Sequence, residues 1–266
     1  MTVLEGVLLG LLQGLTEFLP VSSSGHLALA EHFFSIESPG VTFEVFVHFG
    51  TAMAVVFFFR KRIANIIVAL GRCVARLQHD AAEVRLALHL LLATVPAAAA
   101  GYFLAPRIEA AFTSPALVSV LLMVTGFILW FSGKLFPGTK ERGTWLDALA
   151  IGAAQALAIL PGISRSGSTI TAGLAVGLER RAAAEFAFLL SVPVIFGAAA
   201  ASLGDALAAG SSSGPALAVG TLAAFVSALP AIALLLRAVT AGKLANFAYY
   251  CWVMGAVSLT FVMTGH

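Results

Sequence analysis

The sequence predicts an all-α integral membrane protein with six transmembrane helices plus two broken re-entrant helical hairpins, related as an inverted-topology repeat. Three observations carry this. Of 266 residues, 60% are hydrophobic and 11% charged, with a mean hydropathy of +0.99, which excludes a soluble domain built around one core. Six apolar windows are long enough to cross a hydrocarbon layer of about 30 Å. Two further apolar stretches are each interrupted near the middle by Pro, Gly and Ser. The length leaves no room for a soluble nucleotide-driven motor beside the spans. A net charge of +2 says little about partners, and none of the motifs points to nucleic acid. Cys73 and Cys251 belong to no CxxC, so neither a disulfide framework nor a thiolate metal site is expected. The amino terminus lacks a basic leader and a cleavage signal and is read as mature sequence.

In chain order, the first element is the broken stretch 3–36, interrupted by PVSSSG at 20–25. A span follows at 41–59, then a charged, modestly amphipathic segment at 60–85, expected to lie at the cytoplasmic surface against anionic lipid. Spans at 86–104 and 116–132 complete the first half. The second broken stretch, 145–178, is interrupted by PGISRSGST at 161–169, and spans at 183–203, 216–236 and 244–263 follow. Interrupted backbone at membrane depth is tolerated only where protein or a water-filled cavity satisfies it, so both breaks are expected to line a cavity.

Basic residues set the orientation. Six lie in 60–85 and seven more in the loops at 133–144, 179–182 and 237–243, so thirteen of fifteen share one side if those loops are cytoplasmic. The amino terminus, the 105–115 and 204–215 loops and His266 are then outside. A span at 3–19 would instead put the amino terminus inside. With this topology the two broken hairpins enter from opposite sides, each ahead of three spans. The repeats are read as 1–144 and 145–266. At an offset of 142, Gly10/Gly152, Gln13/Gln155, Leu15/Leu157, Ser22/Ser164, Ser24/Ser166 and Gly25/Gly167 coincide, six matches in sixteen positions.

The chemistry concentrates at the breaks. Gln13 and Glu17 are spaced i, i+4 on one helical face, and Pro20 ends that helix before Ser22, Ser23, Ser24, Gly25 and His26. A carboxylate, hydroxyls and an imidazole suit a polyanion. Glu17 serves as base or metal ligand, the serines as nucleophile or phosphate donors, and His26 as proton carrier. The plainer alternative is that the serines only cap a helix. In the second break, Ser164, Arg165, Ser166, Gly167 and Thr169 resemble a phosphate-binding nest with an arginine fork. Arg165 could alternatively do no more than pair with Glu17. Glu44 and His48, also i, i+4, and Glu185 are read as interhelical packing contacts, with a supporting or proton-path role as the alternative.

These residues resemble the undecaprenyl pyrophosphate phosphatases, the bacitracin-resistance membrane proteins of bacteria. The resemblance covers essentially the whole chain. It rests on an (E/Q)xxxE helix running into PVSSxGH, here Gln13 to Glu17 and Pro20 to His26, and on PGxSRSxxT, here Pro161 to Thr169. FEVFVHFGT at 43–51, TVPAAAAGYFL at 94–104 and EFAFLLSVP at 185–193 fit as well. The family's first acidic position is Gln13 in this chain.

The resemblance implies a hydrolase that removes one phosphate from the C55 isoprenoid diphosphate, regenerating the carrier of peptidoglycan precursors and conferring bacitracin resistance. It places the chain in the bacterial cytoplasmic (inner) membrane with the active site on the outer, periplasmic side. Expected partners are the polyprenyl diphosphate and membrane lipids, with a homodimer left open. The expected catalytic set is Glu17, Ser23, His26 and Arg165. Ser22, Ser24, Ser164, Ser166, Gly167 and Thr169 are expected to bind phosphate, and Glu17 with Gln13 to hold a divalent cation, Mg²⁺ or Ca²⁺. Ser23 is the expected nucleophile with His26 as acid/base, and direct attack by water is the alternative. A polyprenyl-phosphate flippase is the competing class, because inverted repeats with broken helices are common in transporters. A purely structural role is disfavoured by the cost of Glu17 and Arg165 in an apolar setting.

Overall fold

The computed structural model describes residues 1–36, 41–135, 138–208 and 214–264, with side chains left aside at 41 and 201–208. Residues 209–213 of the loop expected outside, and His266, lie outside the described residues. Those described form an all-α membrane protein. The first hairpin is α1 (Val3–Phe18) and α2 (Ser23–Phe34), followed by α3 (Val41–Phe58), α4 (Arg60–Val74), α5 (Ala81–Phe112) and α6 (Pro115–Ser132). The second hairpin is α7 (Trp145–Leu157) and α8 (Arg165–Ala175), followed by α9 (Arg180–Ala208), α10 (Gly214–Thr240) and α11 (Phe247–Met263).

Each hairpin begins with the same device. Thr2 caps α1 by accepting the Glu5 N–H while the Glu5 carboxylate accepts the Thr2 N–H, and Thr144 and Asp147 repeat this box at α7. Each first helix then stops before a proline, α1 ahead of Pro20 and α7 ahead of Pro161, because proline lacks the N–H that would continue the ladder. The two interrupted stretches are therefore helix, break, helix at the expected places.

By length and composition α5, α6, α9, α10 and the segment Leu244–Met263 can each cross a membrane, and α3 with α4 makes a sixth if that bent pair counts as one span. The pair turns by 82° at Phe59, so α4 runs across the direction of α3 rather than prolonging it. Within the basic segment 60–85, α4 carries Arg60, Lys61, Arg62 and Arg72. One expected boundary was short. α5 runs from Ala81 to Phe112, well beyond 86–104, because Asp80 caps it by accepting the Ala82 N–H and the helix continues through Pro96 and Pro106.

The two halves exchange partners. α1 packs along α10 and α7 along α5; α3 packs on α10 and on α9, and α6 packs on α11. Small residues make the hairpin contacts close. Gly6, Gly10 and Gly14 turn one stripe of α1 toward Ala216, Gly220 and Ala224, and a Cβ on Gly10 would run into the Gly220 carbonyl. The main core, with Phe18, Leu129, Ile151, Ile170, Leu190 and Ile232, packs around the place where both breaks meet.

Candidate functional site

The two breaks lock to one another before they present any chemistry. Ser22 sits at φ +67°, ψ +93°, outside the comfortable range of a residue with a side chain, which costs on the order of 1–3 kcal/mol and persists only where surroundings hold it. Its Oγ accepts the Gly162 N–H at 3.1 Å. Gly162, at φ +98°, tolerates no Cβ, since one would fall 2.5 Å from the Val118 carbonyl oxygen. Thr125 of α6 straddles the second loop, donating to the Gly162 carbonyl at 2.7 Å and accepting the Ser164 N–H at 2.9 Å. Gly25 in turn faces the Gly162 backbone, so the loops touch without intervening side chains.

This arrangement aims Glu17, at the end of α1, toward the amino ends of α2 and α8. Its carboxylate is buried and divided between partners. Oε1 accepts from Arg165, the first residue of α8. Oε2 accepts from Ser23 Oγ at 2.5 Å and Gln13 Nε2 at 2.8 Å, with His48 Nε2 at 3.5 Å. Ser23 is the first residue of α2, whose amino end therefore lies at the carboxylate. A cavity of about 340 Å³ opens on this cluster. Glu17, Ser22, Ser23, Ser24, Ser164 and Arg165 form its polar side together with Glu44, His48 and Gln155. Its apolar side includes Ile108 and Phe112 of α5, Val194 and Ile195 of α9, and Ile159 and Ile163. One end suits a polyanion and the other an apolar chain.

Not every expected residue reaches the cavity. His26 is buried to one side: its Nδ1–H donates to the Ser22 carbonyl at 2.8 Å and its Nε2 accepts from Tyr250 of α11 at 2.8 Å. Ser166 contacts Ser164 Oγ at 3.2 Å and the Leu19 carbonyl at 3.4 Å. The Gly167 N–H donates to Ser164 Oγ, and Thr169 donates to the Arg165 carbonyl at 2.8 Å. Ser164 is thus the cap of α8, and these three stand behind the loop. Glu185 lies at the arginine-rich end, 2.7 Å from Arg62 Nε, with Arg62 also paired to Glu83.

His48, expected as a packing contact or on a proton path, lines the cavity 3.5 Å from Glu17, and Thr125 and Tyr250 are not singled out by the sequence. For His48 a signal existed, the i, i+4 pair with Glu44. Its Nδ1–H is spent on the Glu44 carbonyl at 2.8 Å, which leaves Nε2 for the site. Nothing local marked Thr125 or Tyr250.

Gln13 and Glu17, the expected cation ligands, are hydrogen-bonded to one another. Gln13 turns its amide nitrogen to Glu17, and its Oε1 is buried without a hydrogen-bond partner. Both Glu17 oxygens are already engaged, and among the described residues no three His, Cys, Asp or Glu side chains stand together as a metal site.

A family model described as bacitracin resistance protein BacA matches residues 6–257. A protein of Desulforapulum autotrophicum named undecaprenyl-diphosphatase is 43% identical over 271 residues, covering 97% of this chain and 98% of its own. One of the same name from Syntrophotalea carbinolica is 45% identical over 263 residues, covering 97% and 98%. One from Methanobrevibacter smithii is 38% identical over 268 residues, covering 97% and 96%.

Proposed function

The chain belongs to the bacitracin resistance protein BacA family, and from that membership we infer that it is a membrane undecaprenyl-diphosphatase, hydrolysing undecaprenyl diphosphate to undecaprenyl phosphate and inorganic phosphate. It is a hydrolase of cell-wall carrier recycling, and bacitracin resistance follows from the same reaction. The observation that carries the reading is one carboxylate, Glu17, joined to a serine hydroxyl and an arginine at the polar end of a cavity whose other side is apolar. The diphosphate belongs at the first and the start of the isoprenoid chain along the second.

Ser23 Oγ attacks the terminal phosphorus, its proton passing to Glu17 Oε2, while the anhydride P–O bond breaks and polyprenyl phosphate leaves with the bonding electrons. Arg165 exchanges part of its hold on Glu17 for the phosphoryl oxygens, where its planar fork and the amino ends of α2 and α8 offset developing charge. Water then attacks the phosphoserine and the Oγ–P bond breaks: the water oxygen and one proton leave on inorganic phosphate, its second proton passes to solvent, and Glu17 returns its proton to Ser23. Positioning and charge account for most of the rate. Mg²⁺ or Ca²⁺ enters as a counter-ion of the diphosphate, part of the substrate. Detergent-purified protein is expected to release one phosphate per lipid diphosphate. Binding without release would overturn the assignment.

The basic end, with α4, is assigned to the cytoplasm of the inner membrane, and the cavity to the outer side. Asn65 and Leu70 of α4, replaced singly by Cys, are then shielded from impermeant thiol reagents in intact cells. Labelling there would reverse the orientation. The division into repeats 1–144 and 145–266 is supported by the matching helix exchanges, α1 on α10 and α7 on α5.

A further inference from the structure

We propose that Tyr250, on the last helix, is a positioning residue for Ser23, acting through His26. The proposal rests on the reading of Ser23 given above and deepens it. The chain of contacts is short. A backbone carbonyl only accepts, so His26 Nδ1 carries the proton in its 2.8 Å bond to the Ser22 oxygen. In the neutral ring Nε2 is then an acceptor, and the Tyr250 hydroxyl, 2.8 Å away, is its donor. The two rings lie within 9° of parallel with centroids 5.7 Å apart. Both imidazole nitrogens are thus satisfied, and the ring stands outside the cavity walls. His26 acts as a strut between α11 and the loop.

What the strut holds is the strained residue. The Ser22 carbonyl receives both the backbone N–H of His26, at 3.1 Å, and its Nδ1–H, and these two bonds keep the peptide turned as φ +67° requires. Ser23 comes next, and the turn at Ser22 directs its hydroxyl at Glu17 rather than into the helix it begins. α11 packs against α6, the helix whose Thr125 fixes the second loop. One helix pair therefore holds both breaks, Thr125 gripping the arginine loop and Tyr250 the serine loop.

The test uses the purified full chain with undecaprenyl diphosphate. Tyr250→Phe keeps the ring and removes the hydroxyl. It is expected to lower kcat about tenfold, the worth of roughly one hydrogen bond, with KM and the shape of the pH profile unchanged. In a His26→Asn background the same substitution is expected to change kcat by less than about twofold, because its route is already cut. Wild-type kcat in Tyr250→Phe, multiplicative effects in the double variant, or a lost limb of the pH profile in Tyr250→Phe would each overturn the proposal. A readout without turnover separates it from the proposed function. The thiol of Ser23→Cys is expected to alkylate several-fold faster or slower when Tyr250→Phe is added, and an unchanged rate counts against the strut. If wild type releases no phosphate, the function fails and the thiol measurement still decides the strut.

Discussion

Arg165 and Glu17 are 148 positions apart in sequence, and the part-buried guanidinium meets the buried carboxylate at the junction of the two broken hairpins. Each makes the other tolerable in an apolar setting, since removing one partner leaves a buried charge unmatched at a cost of about 3–5 kcal/mol. Arg165→Lys keeps the charge and loses the planar fork, so kcat/KM is expected to fall at least about a hundredfold. Glu17→Gln removes the proton acceptor and is expected to fall at least as far. Phosphate release by folded variants at wild-type rates would remove either residue from its role.

The three serines of the first loop are expected to separate. Ser24 lines the cavity without touching Glu17, whereas Ser23 bonds the carboxylate directly. A lost hydrogen-bond donor costs roughly 2.7–4 kcal/mol in rate at most. Ser23→Ala is expected to lose more than this, with Ser22→Ala and Ser24→Ala within it. Rapid quench with labelled substrate is expected to trap phosphate on wild type and none on Ser23→Ala. Equal losses across the three variants and no trapped phosphate would shift the attack to water.

Thr125→Val changes shape little but strips both bonds to the second loop. It leaves the Gly162 carbonyl and the Ser164 N–H buried without this partner, a cost of roughly 1–3 kcal/mol. Thermal unfolding in detergent should fall accordingly, with kcat reduced because Arg165 follows Ser164 directly. Thr125→Ser, which keeps the hydroxyl, is expected to restore most of both.

His48→Gln retains a polar group beside Glu17 and His48→Leu does not. The glutamine variant is expected to stay within about tenfold of wild-type kcat and the leucine variant to fall below it. Equal kcat values would make His48 a packing residue.

A cation carried in by the diphosphate and a resident one respond differently to chelation. The substrate-free protein is expected to keep its thermal midpoint in EDTA, while hydrolysis slows and recovers when Mg²⁺ or Ca²⁺ is added with the lipid. A midpoint that drops with chelator alone would require a resident site.

Much of this was legible in the sequence because membrane burial writes a coarse code. Pro20 and Pro161 follow helix ends and stand among Gly and Ser, unlike Pro96 and Pro106 inside α5, and the polar residues clustered after them are costly unless they meet. The same logic drew attention to Glu17, Ser23 and Arg165, which the structure brings into contact. That His48 faces the cavity is not legible in the sequence, because the face of α3 turned there depends on how that helix lies against α9 and α10. Thr125 and Tyr250 look like ordinary polar decoration of apolar spans, and their partners are distant in sequence. For Ser166, Gly167 and Thr169 the pattern suited a phosphate nest. In the structure the Gly167 N–H is held by Ser164, the cap of α8, Ser166 bonds the Leu19 carbonyl and Thr169 bonds back to the Arg165 carbonyl.

The glycine stripe of α1 has a consequence for how the protein is made. Its seat is α10, which begins at Gly214, so α1 leaves the ribosome long before the helix it fits against. Through most of synthesis α1 waits with a polar tip and no matching surface, held by lipid, by its own hairpin or by the insertion machinery. Arg165, the counter-ion of Glu17, also emerges long before α10 can clamp the hairpin in place. Truncations that stop short of α10 should therefore yield chains that insert and yet are removed by membrane quality control, and supplying the missing carboxyl-terminal helices as a separate polypeptide should rescue them.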